Sequence, residues 1–204
     1  MFGINSKFYK FMDTLWTVLK LNFIWVLFSL PIVTIGASTI AVFSVTLKMV
    51  NNEEGNVFSQ FFQSFKLNLK QGIILGLITI AIAYCCYLNF ELFNKLEDNP
   101  IIFLIAGIVI FFVGLANITY VYPLLARYDN SILRSFELSR EIVYKYFFRT
   151  ILLWIAVGFL IVFFIFNEIL IFIGIFIGPV TIFLAISGFA RKIFRDIEKS
   201  NLSV

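Results

Sequence analysis

Five stretches of this chain carry no Asp, Glu, Lys or Arg: residues 21–47, 71–90, 99–126, 150–167 and 169–190, of 27, 20, 28, 18 and 22 residues. About 20 apolar helical residues cross a hydrocarbon core of roughly 30 Å at about 1.5 Å per residue, so each stretch is a candidate span. Residues 71–90 alone hold nine Ile, Leu or Phe, each contributing about −0.3 to −0.6 kcal/mol near a helix centre. The chain is 61% hydrophobic. A soluble domain of 204 residues has too little interior to hide that surface, whereas lipid accepts it on every helix face. The first stretch follows a basic segment and ends in no small-residue cleavage site, so it is expected to stay in the protein rather than to be removed as a signal peptide.

The first stretch is long enough for one tilted span or two short ones. Pro31 and Gly36 supply a break, and Ser38 or Thr39 offers a cap for a new helix. Charge arbitrates, because Lys and Arg accumulate in cytoplasmic segments. With two crossings there, fifteen of the sixteen basic residues fall on one side and only Lys95 on the other. With one crossing the best split is twelve to four. A loop that enters and leaves on the same side passes this test equally well. The expectation is an all-α polytopic transmembrane helical bundle forming one domain over 1–204. It has about six spans arranged as three hairpins, roughly 15–32, 36–50, 71–92, 100–126, 149–167 and 169–190. Both termini are cytoplasmic, and the external tips are short: Pro31–Gly36, Asn94–Pro100, and the region of Asn167 and Glu168. The membrane is expected to be an inner-type, plasma membrane.

Two cytoplasmic loops are expected to form interfacial amphipathic helices. Phe58, Phe61, Phe62, Phe65 and Leu69 share one face of the first, after a turn at Asn51-Asn52-Glu53-Glu54-Gly55, and that face is expected to lie down on the lipid. In the second, Ile132, Leu133, Phe136, Ile142, Val143, Tyr146 and Phe147 oppose Arg134, Glu137, Arg140, Glu141 and Lys145. Each loop runs from a basic span end through a polar turn and a Ser-Phe helix (Ser64-Phe65, Ser135-Phe136) to a basic entry, a weak internal repeat. Such loops orient the bundle or dock a partner. The candidate docking residues are Phe58, Phe62, Phe65, Arg134, Glu137 and Arg140, for a transporter or another cytoplasmic protein at the inner face.

Within the spans, Asn22 and Asn117 are the candidate intramembrane polar residues. Asparagines there commonly bridge helices, and a substrate-contacting role is the alternative. No charge is predicted near the midplane, which weighs against an ion-coupled pump. Gly72 and Gly76, and Gly174 and Gly178, have close-packing spacing, and Pro123 and Pro179 are expected to kink their helices. Cys85 and Cys86 read as small buried hydrophobes. The chain has no His, which removes every His-dependent metal, haem or triad site. There is no phosphate-cradling Gly-rich loop, and Asp13, Glu53, Glu54 and Asp129 form no evident cluster. The expectation is therefore no enzyme, no cofactor and no metal. The basic residues are scattered along membrane-proximal loops, so nucleic acid is not an expected partner. The lipid bilayer is one.

The block Leu21-Asn22-Phe23-Ile24-Trp25 through Leu30-Pro31-Ile32-Val33-Thr34-Ile35-Gly36-Ala37-Ser38-Thr39 resembles the opening of the YesL-like bacterial membrane proteins, a family of unknown function. Asn52-Glu53-Glu54-Gly55, the element Phe61 to Lys66, and Tyr122-Pro123-Leu124-Leu125-Ala126-Arg127-Tyr128-Asp129 are similar to its later blocks. Ala37 stands where the usual pattern often has a proline. The resemblance implies an integral membrane protein with no established activity. It also implies an association with carbohydrate-uptake transporters, hence an accessory or regulatory role. A small-solute transporter or channel component, with a path near Asn22, Asn117 and Pro179, is the alternative.

Overall fold

In a computed structural model the described residues are 7–53, 55–96 and 100–199. Glu54 of the expected first turn and residues 97–99 of the second tip lie outside them. The elements are α1 (Lys7–Ser29), a 3-10 turn (Ile32–Thr34), α2 (Ile35–Asn51), α3 (Val57–Leu67), α4 (Leu69–Lys95), α5 (Ile101–Arg127), α6 (Ile132–Lys145), α7 (Phe147–Ile165) and α8 (Glu168–Lys199). Six helical segments are long and apolar enough to cross a membrane, with α3 and α6 as the short amphipathic helices between them. The protein is an all-α polytopic membrane bundle.

The expected break at Pro31 is present, and the new helix starts earlier than Ser38 or Thr39. Pro31 is extended, a geometry its ring favours, and α2 begins at Ile35 without a side-chain cap. Ser38 and Thr39 lie inside α2 and tie it to the end of α1. Ser38 Oγ meets Ser29 Oγ at 2.6 Å, and Thr39 Oγ1 accepts from Trp25 Nε1 at 3.3 Å. At its other end α2 stops on Asn52, which takes the left-handed conformation (φ 57°) that asparagine tolerates better than most residues.

α2 is the central helix. It packs against α1, α3, α4, α5 and α8, and most of its residues from Gly36 to Leu47 are buried. The approach to α4 is the tightest in the molecule. A Cβ on Gly36 would overlap the Gly72 carbonyl oxygen and stand 2.7 Å from Gly76 N, and one on Gly72 would stand 2.7 Å from Ala37 Cβ. Backbones come this close only where side chains are absent. The start of α2 therefore lies beside the first turns of α4, within a few residues of Lys70. It is far from the other end of α4 at Lys95, about 35 Å along the helix at about 1.5 Å per residue.

Neither short helix lies free on lipid. The Phe stripe of α3 is turned onto α1 and α2: Phe61 is fully buried, and Phe28 of α1 meets the rings of Phe61, Phe62 and Phe65 at 5.4, 6.0 and 5.0 Å. α6 folds back on α5, with Ser135, Leu138, Ser139 and Ile142 buried and Ser139 Oγ donating to the Asn117 carbonyl at 2.7 Å. Each is capped at its start, by Asn56 and Ser131. Each is separated by a single residue, Asn68 or Tyr146, from the span that follows. The two units thus share an order of parts: span, turn, capped fold-back helix, one-residue break, span.

Hydroxyl pairs stitch the core. Thr46 meets Ser187 at 2.7 Å, Thr79 meets Tyr122 at 2.9 Å, and Tyr120 meets Thr150 at 3.1 Å. Pro123 and Pro179 both sit inside continuous helices. Beyond the core the bundle thins: no residue of 77–95, 101–113, 154–165 or 168–177 is buried. Cys85 belongs to that region and is exposed, with Cys86 half-buried and both thiols free. Cys85 faces outward and Cys86 faces α5, and neither is a buried core residue. Their helix meets only α5 at this level, through Cys86 Sγ toward the Gly107 carbonyl at 3.9 Å.

Candidate functional site

One face of α1 carries Lys10, Asp13, Thr14, Thr17 and Lys20 at helical spacing. It forms a wall of a cleft of about 730 Å³, a size suited to a small ligand or head group. The facing wall comes from the α2–α3 turn and the start of α3, with Asn52, Glu53, Asn56 and Gln60. Apolar side chains, Ile24, Val45, Met49 and Val57, complete the lining. Phe23 and Phe58 belong to it too and are 72% and 54% exposed.

The electrostatics of the cleft are balanced and unsatisfied. Lys10, Lys20, Asp13 and Glu53 are exposed. The ion pairs among the described residues are Glu91–Lys95, Arg127–Glu198, Arg134–Glu137 and Arg149–Asp196, and none uses a cleft residue. Lys20 Nζ lies 4.9 Å from the centre of the Trp16 ring, so part of its environment is aromatic. Asn56 is committed to capping α3, its Oδ1 accepting from Ser59 N at 3.1 Å. Asp13 and Glu53, dispersed in sequence, thus meet in one cleft. The signal that marks the site is the recurrence of polar residues at i, i+3, i+4, i+7 and i+10 just before the charge-free run begins.

The expected docking residues divide. Phe58 is exposed, while Phe62 and Phe65 are half-buried against Phe28. Arg134, Glu137 and Arg140 all lie on the outer side of α6, with Arg134 Nη1 and Glu137 Oε2 3.2 Å apart. The two intramembrane asparagines have separate partners. Asn22 is 3% exposed and donates from Nδ2 to the Ile175 carbonyl of α8 at 3.0 Å. Asn117 donates to its own helix at Val113, 2.7 Å away.

A further polar cluster, not anticipated from sequence, gathers where α8 ends. Arg191 Nη1 donates to the Val50 carbonyl near the end of α2, Arg149 pairs with Asp196 at 2.6 Å, and Glu198 accepts from Arg127 and from the Tyr128 hydroxyl at 2.8 and 2.7 Å. Burial foremost, and then the bond to Glu198, hold the Tyr128 phenol above its ordinary value of 10.0. A raised value favours the protonated donor. The bond's contribution is complete below the ordinary value and is lost only as pH rises through the raised one.

Residues 18–90 match the family described as "Protein of unknown function, DUF624". That interval holds most of α1, all of α2 and α3, and most of α4, including the Gly36–Gly72 contact and much of the cleft. The chain is also 28% identical over 129 residues to "Uncharacterized protein YesL" of Bacillus subtilis (strain 168). The chain is thus similar to this relative and, over residues 18–90, to a family of unknown function. The match to the relative spans 61% of this chain and 61% of that relative's length. No solved structure matches the chain.

Proposed function

We propose that this YesL-like protein is a non-enzymatic accessory component of the bacterial plasma membrane, docking a carbohydrate-uptake transporter or one of its cytoplasmic components. The observation that carries the reading is the outer side of α6. Ser135, Leu138, Ser139 and Ile142 hold the helix to the bundle, yet Leu133 and Tyr144 are 78% and 83% exposed beside the Arg134–Glu137 pair and Arg140. The fold does not require that combination of apolar anchors and charge, whereas a protein interface uses it. The link to carbohydrate uptake rests on the family resemblance alone. Photo-crosslinking groups at Leu133, Arg134 and Phe58 are expected to capture a transporter component in native membranes. Capture of lipid alone at all three positions refutes the docking reading.

The orientation consistent with the charge distribution puts both termini and the α2–α3 and α5–α6 turns in the cytoplasm. In this arrangement α1 and α2 dip into the bilayer and return, a reading supported by Gly36, near the tip, packing on Gly72 and Gly76 in the first turns of α4. The fifteen-to-one split is unaffected. Both legs are long enough to cross, but the 27 charge-free residues between Lys20 and Lys48 are fewer than the roughly 40 that two uncharged crossings take. With Cys85 and Cys86 replaced by alanine, a cysteine at Glu168 is expected to react with an impermeant thiol reagent outside intact cells. One at Thr34 is expected not to react. Equal labelling at the two sites would show that the first hairpin reaches the outer face.

A further inference from the structure

We infer that the cleft between α1 and the α2–α3 turn binds the head group of a zwitterionic phospholipid. Two cations, Lys10 and Lys20, and two carboxylates, Asp13 and Glu53, line one cavity without pairing among the described residues. An anionic head group would gain the lysines and be opposed by the carboxylates, and a purely cationic ligand would meet the reverse. A phosphate bearing an ammonium satisfies both at once.

The occupant is a lipid rather than a free zwitterion because of the remaining lining. Ile24, Val45, Met49 and Val57 form an apolar wall, and the exposed Phe23 and Phe58 leave that wall open toward the surroundings. Lys20 is the last charge before the run 21–47, so along α1 the polar part of the cleft gives way to an apolar part that suits acyl chain. Thr14, Thr17 and Gln60 add hydroxyl and amide groups within the same lining, suited to phosphate and glycerol oxygens.

The test uses the full chain in mixed micelles holding equal phosphatidylethanolamine and phosphatidylglycerol, with retained lipid counted by mass spectrometry after gel filtration. Phosphatidylethanolamine is expected to be enriched about fivefold over the bulk, the size two exposed charge contacts supply. Asp13→Asn with Glu53→Gln is expected to abolish the preference and leave phosphatidylglycerol bound. Lys10→Gln with Lys20→Gln is expected to lower retention of both lipids. Glu91→Gln with Lys95→Gln, at the far end of α4, is the control and should change neither. A retained ratio equal to the bulk, or a preference indifferent to the cleft variants, overturns the inference. Displacement by soluble phosphoethanolamine with no enrichment of the lipid overturns the lipid assignment and leaves a free zwitterion as the ligand.

Discussion

Gly36→Val is expected to leave almost no folded protein, the largest effect of any single substitution in this chain. The Cβ alone would overlap the Gly72 carbonyl oxygen and crowd the backbone of Gly76, at 2.7 Å from its nitrogen and 2.8 Å from its Cα. Backbone cannot swing aside as a flexible side chain can. The relief available is separation of α2 from α4, and α2 is the helix on which most of the others pack. Overpacking a well-filled core costs about 1–3 kcal/mol and more where backbone must shift. Set against a total stability of about 5–15 kcal/mol, that loss is large. Gly72→Val should be as damaging. Gly158→Val in α7, where a Cβ meets nothing within 4 Å, should behave as wild type. Monodisperse yield of fluorescent fusions by gel filtration measures all three, and a normal yield from Gly36→Val would mean that the α2–α4 contact is not as close as described.

Phe61→Ala should be the next most severe, and its contrast with Phe58→Ala separates folding from docking. Phe61 is fully buried, in a cluster with Leu21, Ala41, Val45 and Val180, and its ring packs on Phe28 at 5.4 Å and Phe65 at 6.1 Å. Truncating a buried phenylalanine costs about 3–5 kcal/mol when the cavity cannot collapse. Phe58, one turn earlier on the same stripe, is 54% exposed, and its loss should change stability by less than about 0.5 kcal/mol. Thermal aggregation midpoints in one detergent should therefore fall sharply for Phe61→Ala and hardly at all for Phe58→Ala. If Phe58→Ala keeps stability but loses the crosslinked partner, the docking role belongs to Phe58 and not to the stripe as a whole.

The two phenylalanines also show where sequence reading succeeds and where it stops. Helical spacing correctly places Phe58, Phe61, Phe62 and Phe65 on one apolar face, and the charge-free runs correctly mark the long helices. Periodicity does not say what an apolar face touches. In a membrane protein lipid and a neighbouring helix are equally apolar, so a stripe expected on lipid turned out to lie on α1 and α2. How far the Pro31 tip travels is hidden for a related reason. A charge count records the sides on which loops end and is blind to how far a hairpin travels between two ends on the same side. The glycine spacing at 72 and 76 announced a close contact but not that Gly36 was the partner. The cleft escaped because its carboxylates, Asp13 and Glu53, are 40 positions apart in the sequence. They meet only once α1 lies beside the α2–α3 turn.

The absence of buried residues from 77–95, 101–113, 154–165 and 168–177 bears on how the molecule tolerates its surroundings. These stretches pair α4 with α5 and α7 with α8 as prongs beyond a common root, with α1 reaching Ile175 through Asn22, and in a bilayer acyl chains would supply their remaining neighbours. A bilayer thicker or thinner than the prongs can be met by changing their splay, at a fraction of a kcal/mol per Å, while the root around α2 stays fixed. Such a body would sense thickness and lateral pressure at its free tips without loosening at its base. A lipid composition that stiffened the membrane would close the fork before it unfolded anything.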